Sequence, residues 1–253
     1  MSIYFMQGFG FNQIANDYHL KRKKPWKPLE LFLNYLKDKG YSLIGESLDL
    51  GCANGRNFNI LGTFPKKLVG LDISPDLVKI AFENLRNSSL YSTIESKFIQ
   101  IVLSDIKNLP IRPNSFKNIF SIATIHHIKN KADRKRCINQ MYNILQNNGL
   151  LIFTVWRKWQ KKYRGYFILD WIKRNIRNKY KKLQYTENLN EFGDKYIPWR
   201  LSSENKVFYR FYHFFSKKEI KKLLKNFEIK ELKLMGGPEN RDNFFILAKK
   251  EDQ

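Results

Sequence analysis

Apolar residues in this chain fall into short runs separated by amphipathic stretches, and the alternation holds from residue 47 to residue 156. The runs at 47–50, 67–71, 98–103, 116–123 and 150–155 are strand-length, bounded by turn residues, and apolar on both alternating faces, so they read as buried strands. Helical spacing follows the first run over 54–61. It returns after Ser74-Pro75-Asp76, a cap with proline at the first helical position, and again over 132–146, where Asn148-Gly149 supplies a stop. Strand and helix in alternation predict an α/β sheet with crossover helices. Ahead of it, Phe11, Ile14, Ala15 and Tyr18 sit at i, i+3, i+4 and i+7, a short amphipathic helix. A basic run and the bend Pro25-Trp26-Lys27-Pro28 come next, then helical spacing over 29–36.

The alternation breaks after Trp156. Residues 157–210 are crowded with Lys, Arg, Tyr and Trp and carry about ten net positive charges. Phe167, Ile168, Trp171, Ile172, Ile176 and Tyr180 can share one helical face, with Lys173, Arg174, Arg177, Lys181 and Lys182 on the others. This reads as a basic helical insertion. Order returns with a helix at 217–225, a strand at 227–234, a turn at Gly236-Gly237-Pro238 and a strand at 243–248. Those two strands, joined by a turn, should pair antiparallel. The expected organisation is one domain over 1–253: an N-terminal helical lid at 1–45, a binding core at 46–156, the insertion at 157–210, and a C-terminal helix and strand pair at 211–253.

Composition narrows the partners more than the fold. The chain has 253 residues, 43% of them apolar, enough for one sizeable core. The formal charge of +23 points to a polyanion or an acidic membrane surface. Two distant cysteines, Cys52 and Cys137, make neither a disulfide framework nor a zinc site, and no metal is expected. No targeting segment or membrane-length apolar run stands out, so a cytoplasmic protein is expected.

The chemistry concentrates at the strand ends. Ser47-Leu48-Asp49-Leu50-Gly51-Cys52-Ala53-Asn54-Gly55 carries an acid at the end of the first strand and then a glycine turn. Asp72 and Asp105 close the second and third strands. Three acids at successive strand ends describe a nucleoside pocket at the carboxyl edge of a parallel sheet. The glycine spacing departs from GxGxxG, because positions 51, 53 and 56 are Gly, Ala and Arg. The pattern present suits S-adenosyl-L-methionine. Asp49 would hold its ammonium, Asp72 the ribose hydroxyls, and Asp105 with the Ile106 backbone the adenine amino group. Gly51, Cys52, Asn54, Gly55, Ile73 and Ala123 complete the expected cofactor contacts. If Ala53 needs positive φ, it costs about 1–2 kcal/mol.

At this point the chain resembles a known family over most of its length. Ile14-Ala15 and Arg22-x-Lys24-Pro25-Trp26, the loop from Asp49 to Arg56, Ser121-Ile122-Ala123-Thr124-Ile125-His126-His127-Ile128, Tyr196-Ile197-Pro198-Trp199, and Phe208-Tyr209-Arg210-Phe211-Tyr212-His213-Phe214-Phe215 carry the likeness. They resemble the class I methyltransferases that finish wobble-uridine side chains in tRNA, the Trm9 and ALKBH8 methyltransferase-domain group. Two departures stand out: Ala53 replaces the usual middle glycine, and Lys27 separates Trp26 from Pro28.

The resemblance implies a Rossmann-like, seven-stranded, mostly parallel sheet with an antiparallel last strand. It also implies esterification of the carboxylate of 5-carboxymethyluridine at the wobble position. That nucleophile is ionised at neutral pH, its intrinsic pKa being about 4, so no strong base is needed. The site must align oxygen, methyl and sulfur behind aromatic walls, without a tight ion pair that would quench the anion. His126, His127, Arg22, Arg210 and His213 are the expected catalytic groups. Trp26, Trp156, Trp199 and Tyr212 are the expected walls, and Lys173, Arg174 and Arg177, with Lys179, Lys181 and Lys182, the expected contacts to the tRNA anticodon arm. A small zinc-binding activator of the Trm112 type is the implied protein partner. The competing readings are a methyltransferase for a small molecule of the quinone-precursor type, a non-catalytic RNA-binding protein on the same fold, and a membrane-surface protein using the Trp171 helix.

Overall fold

The computed structural model describes residues 2–5, 10–63, 67–87, 99–177 and 189–251. Its strands are β1 (Ser2–Phe5), β2 (Glu46–Leu50), β3 (Lys67–Asp72), β4 (Ile99–Leu103), β5 (Phe116–Ile122), β6 (Leu145–Trp156), β7 (Asp194–Arg200), β8 (Lys206–His213), β9 (Phe227–Met235) and β10 (Asn243–Lys250). The α-helices are α1 (Ala15–Lys21), α2 (Lys27–Asp38), α3 (Phe58–Leu61), α4 (Pro75–Arg86), α5 (Lys131–Ile144), α6 (Arg164–Arg177) and α7 (Lys217–Leu223). A 3-10 turn at Gly10–Ile14 leads into α1.

Seven strands form the main sheet in the order β4-β3-β2-β5-β6-β10-β9. The first five run parallel, and β10 lies antiparallel between β6 and β9. Both faces are covered. Leu48, Leu50, Ile119, Leu151, Phe153 and Ile246 point to one apolar layer; Phe120, Ile152, Phe245 and Leu247 point to the other. This is why the strands read as unbroken apolar runs instead of alternating ones. Leu29, Phe32, Leu33 and Leu36 of α2 lie in the second layer at helical spacing. There Phe58 lies flat on Gly70, where an added Cβ would come within 2.5 Å of the ring.

Local chemistry sets the helix starts. The Ser74 hydroxyl accepts from the Leu77 N–H and Pro75 opens α4. Ser216 and Glu219 form a reciprocal capping box on α7.

Several expected elements come out differently. The helix after β2 begins at Phe58, not Asn54, because residues 51–57 are spent on a turn. Helix α5 ends at Ile144, and Leu145 already pairs with Phe116. Asn148, at φ +58°, therefore sits in an irregular stretch of β6 instead of capping a helix. The insertion is not only helical. After α6 it forms the β7–β8 hairpin, and β1 pairs parallel with β8 to give a second sheet, β1-β8-β7. The expected boundary after Arg210 falls inside β8.

Helix α6 also turns part of its expected apolar face outward. Phe167 and Asp170 are buried, whereas Ile168, Leu169 and Trp171 are exposed. Phe98, Lys179, Tyr180, Lys181 and Lys182 lie outside the described residues, as do the side chains of Ile176 and Arg177.

Candidate active site

Parallel pairing brings the strand ends to one edge. Asp49 faces Gly70 and Asp72 faces Leu103 in the sheet register, and Asp105 follows β4 by two residues. Past β2 the chain turns sharply: the N–H groups of Gly51 and Cys52 both donate to the Leu71 carbonyl, at 2.7 and 3.0 Å. The Asp72 carboxylate holds that loop. Oδ2 accepts from the Ala53 N–H and Oδ1 from the Ser74 N–H, both at 2.9 Å. Ile73, half-buried, links the two anchors.

Ala53 has φ +51°, the strained case anticipated from its sequence. Ala53→Gly should raise stability by about 0.5–1 kcal/mol, since relief of strain outweighs the extra freedom of the unfolded chain. A thermal melt should show a rise of about 2 °C.

Asp49 is buried and no cation pairs with it among the described residues. Burial and the neighbouring Asp72 push its carboxyl up to about 7. Burial raises Asp72 too, against the backbone N–H groups of Ser74, Ala53 and Ile73. A buried acid without a counter-charge, beside a turn with no side chain at Gly51, fits the ammonium of S-adenosyl-L-methionine. Because the folded value lies above the unfolded one, Asp49 keeps its proton below pH 7 and must release it when an ammonium arrives. Cofactor affinity is therefore expected to rise from pH 6 to pH 8, by up to about tenfold per unit below 7. Calorimetry in buffers of different ionisation enthalpy should detect proton release near pH 6.5.

Asp105 is half-buried; its Oδ1 accepts from the Lys107 N–H at 2.9 Å, and Oδ2 pairs with Lys107 Nζ at 3.2 Å. Ile106 packs its side chain on the core. Cys52 is buried, and burial raises its thiol well above the usual range. Asn54 is fully buried and ties the loop to the N-terminal helix: Nδ2 donates to the Arg22 carbonyl at 3.0 Å and approaches His19 Nδ1 at 3.2 Å. Ala123, at φ +57°, donates to Thr154 Oγ1 at 2.8 Å, ending β5 in a turn that launches the two histidines.

Those histidines enter an aromatic chamber. His126 stacks on Tyr212 at 4.9 Å and lies 5.8 Å from the Trp156 ring; His127 lies edge-on to Tyr212 and Phe11, at 4.3 and 4.8 Å. Trp156 stacks on Tyr212 at 4.3 Å. His127 Nδ1 is 3.0 Å from the Phe211 carbonyl, so it carries the proton and leaves Nε2 as an acceptor. Burial drives His126 well below the imidazole range, with His127 and Arg210 adding to it. Burial and Arg210 take His127 down to about 3, against the Phe211 backbone. Both rings are neutral at physiological pH. Burial lifts the Tyr212 phenol to about 12. The Arg210 guanidinium lies over Trp199 at 4.5 Å and Tyr212 at 5.1 Å, and its Nε is buried without a partner, as is His126 Nδ1.

Trp199 is held from a direction the sequence did not disclose. Its indole N–H donates to Asp17 at 2.6 Å, and Asp17 also accepts from the Ser202 N–H and pairs with Lys21, each at 2.7 Å. Arg22 reaches to 5.9 Å from the Trp199 ring, and Tyr18 stacks on it at 5.8 Å. One carboxylate thus joins the N-terminal helix to the hairpin. Nothing in its residue type or spacing distinguishes Asp17 from an ordinary first-turn acid.

Three expected site residues are placed elsewhere. Trp26 packs on Phe245 at 5.0 Å in the core. His213 turns away from the chamber into a buried ionic cluster: Nδ1 donates to Asp194 at 2.7 Å, and Nε2 lies 3.7 Å from Glu219. Arg174 is engaged by Asp170 at 2.9 Å and by the carbonyls of Leu189 and Asn190. Lys173 is exposed.

Comparison with known proteins agrees with this geometry. A methyltransferase domain model matches residues 48–153. The chain superposes on a S-adenosylmethionine-dependent methyltransferase from Methanosarcina mazei with a TM-score of 0.66 at 19% identity, covering 86% of this chain and 98% of that one. For a S-adenosylmethionine-dependent methyltransferase from Clostridium acetobutylicum the values are 0.63, 17%, 96% and 99%. The sheet order and the strand-end acids, with the domain match over residues 48–153, make this chain similar to the class I S-adenosylmethionine-dependent methyltransferases in fold and in the layout of its site. Within that class it is similar to the tRNA (carboxymethyluridine(34)-5-O)-methyltransferase of Schizosaccharomyces pombe, 28% identical over 95% of this chain and 94% of the yeast protein.

Proposed function

We propose that this methyltransferase esterifies the carboxylate of 5-carboxymethyluridine at the wobble position of a tRNA anticodon. The observation that carries the reading is the chamber beyond β5: two neutral histidines, His126 buried and His127 half-buried, aromatic walls, and one guanidinium already shared between two ring faces. When bound, the cofactor supplies an electrophilic methyl group on a sulfonium. Trp156 and Tyr212 form walls against which a uracil ring can lie. Arg210, with a free buried N–H, offers a donor to the carboxylate, while the two rings beneath it spread its interactions so that no tight ion pair forms. His126 and His127, being neutral, add polarity without a quenching charge. Arg22 lies 5.9 Å from the Trp199 ring, and Phe11 of the N-terminal segment covers the His127 face against water. Lys173 is available to anticodon-arm phosphates.

The test is nucleoside analysis of tRNA after incubation with the purified chain and labelled cofactor. A methyl ester on carboxymethyluridine is expected. Label that enters a lipid extract and not tRNA would refute the reading. Since no group in the chamber titrates near neutrality as a base, single-turnover rates under saturating cofactor should be flat from pH 6 to pH 8.

The expected zinc-binding activator of the Trm112 type has a surface it could cover. β4 is an edge strand, with Val102 and Leu103 exposed and Phe82 of α4 exposed as well. Co-expression should improve solubility and activity, and Leu103→Glu should stop co-purification. A chain fully active and well behaved alone would remove the need for this partner.

A further inference from the structure

A cavity of about 330 Å³ lies behind the cofactor loop, between the end of α1, residues 55–59 and the last turn of α4. His19, Lys23 and Arg56 line it, with Gly55, Asn59 and Asn84, and no carboxylate does among the described residues. Neither Lys23 nor Arg56 has an acidic or hydrogen-bonded partner among the described residues. Asn54 sets the third group. Its Nδ2 donates to the Arg22 carbonyl, which identifies that atom as the amide nitrogen, so the same nitrogen can only donate to His19 Nδ1. The neutral His19 ring therefore carries its proton on Nε2, the edge not used by Asn54. Asn84 donates to the Asn54 carbonyl at 2.8 Å and fixes the cavity wall. Of the expected cofactor contacts Gly55 reaches the lining, whereas Asp49, Asp72 and Asp105 do not.

We infer that this cavity is an oxyanion site that takes a backbone phosphodiester of the RNA strand, outside the chamber that receives the target base. Two cations and a histidine lining one space, with no acid in that lining among the described residues, suit a phosphate and no cation. Flanking phosphate contacts fix where the strand lies and leave the reacting base to the aromatic walls. The inference rests on the tRNA reading for the identity of the strand, and its test separates the two.

The experiment measures binding of an anticodon stem–loop RNA and, separately, of S-adenosylhomocysteine, to the wild-type chain, to Lys23→Ala and to the Lys23→Ala/Arg56→Ala double variant, over a range of salt. Lys23 is exposed, so its single variant remains folded and informative even if the double variant does not. The expected result is a fall in RNA affinity of about tenfold for the double variant and a salt slope shallower by about one, with unchanged affinity for S-adenosylhomocysteine. Unchanged RNA affinity overturns the site and leaves the tRNA reading standing if the wild type still methylates tRNA. A loss of S-adenosylhomocysteine affinity instead assigns the cavity to the carboxylate of the cofactor and also overturns it. If the wild type binds the stem–loop but transfers no methyl, the reading of function fails, and the variants still decide the phosphate site.

Discussion

Gly51→Ala is expected to abolish measurable cofactor binding and to lower the melting temperature. Gly51 has φ +79°, a conformation that costs an alanine about 1–2 kcal/mol. A Cβ there would also sit inside the Thr124 side chain. Thr124 cannot simply move, because its hydroxyl donates to the Leu50 carbonyl at 2.9 Å and its residue begins the turn that carries His126 and His127. Overpacking of this kind adds about 1–3 kcal/mol. The strain falls on the N–H pair bound to Leu71 and on the Ala53 N–H held by Asp72, so the loop shape is lost before the fold is. Calorimetry with S-adenosylhomocysteine and a thermal melt read the two effects separately. Wild-type affinity in this variant would show that the loop is not the cradle of the cofactor.

His213→Ala is expected to destabilise the protein by about 3–5 kcal/mol while leaving the turnover of folded molecules close to wild type. His213 and Asp194 are both buried, and the imidazole is the donor that Asp194 Oδ1 faces; Oδ2 is taken by the Glu191 N–H at 2.8 Å. Removing the ring strands a carboxylate in the interior where β7, β8 and α7 meet. Its neighbours tie the cluster into the surrounding fold: Lys158 bonds the Phe192 carbonyl and Glu219, and Arg134 pairs with Glu191 at 2.7 Å. Denaturant unfolding gives the stability loss, and single-turnover kinetics below the melting transition give the rate. A large rate loss with unchanged stability would place His213 in the chemistry instead.

These two residues mark where sequence reading succeeds and where it stops. The Gly51 turn was legible because its requirement is local: an acid ending an apolar run, then residues that permit a left-handed backbone. The same holds for the Ser74 cap of α4 and for the parallel strands β2, β3, β5 and β6, whose two-sided burial leaves no polar alternation to confuse. His213 shares a short motif with Arg210 and Tyr212, yet alternation along β8 sends its side chain to the opposite face, and a strand there was not recognised. Trp26 and Arg174 look available in sequence because Phe245 and the carbonyls of Leu189 and Asn190, which engage them, are distant in the chain or in an irregular segment. Periodicity groups the apolar residues of α6 on one helical face, yet Phe167 is buried and Ile168 and Trp171 are exposed, because periodicity does not say which of them a partner element covers.

By itself, then, the sequence determined the elements whose causes lie within a few residues: most of the strands, the caps, the glycine turn after β2, and the three acids that parallel strands must present at one edge. Only the tertiary structure decided that Asp17 grips Trp199, that burial keeps His126 and His127 neutral, and that His19, Lys23 and Arg56 line one cavity. The division is physical. Backbone preference and hydrophobic period act on neighbours in the chain, whereas hydrogen-bond partners and desolvation are properties of groups that folding alone brings together.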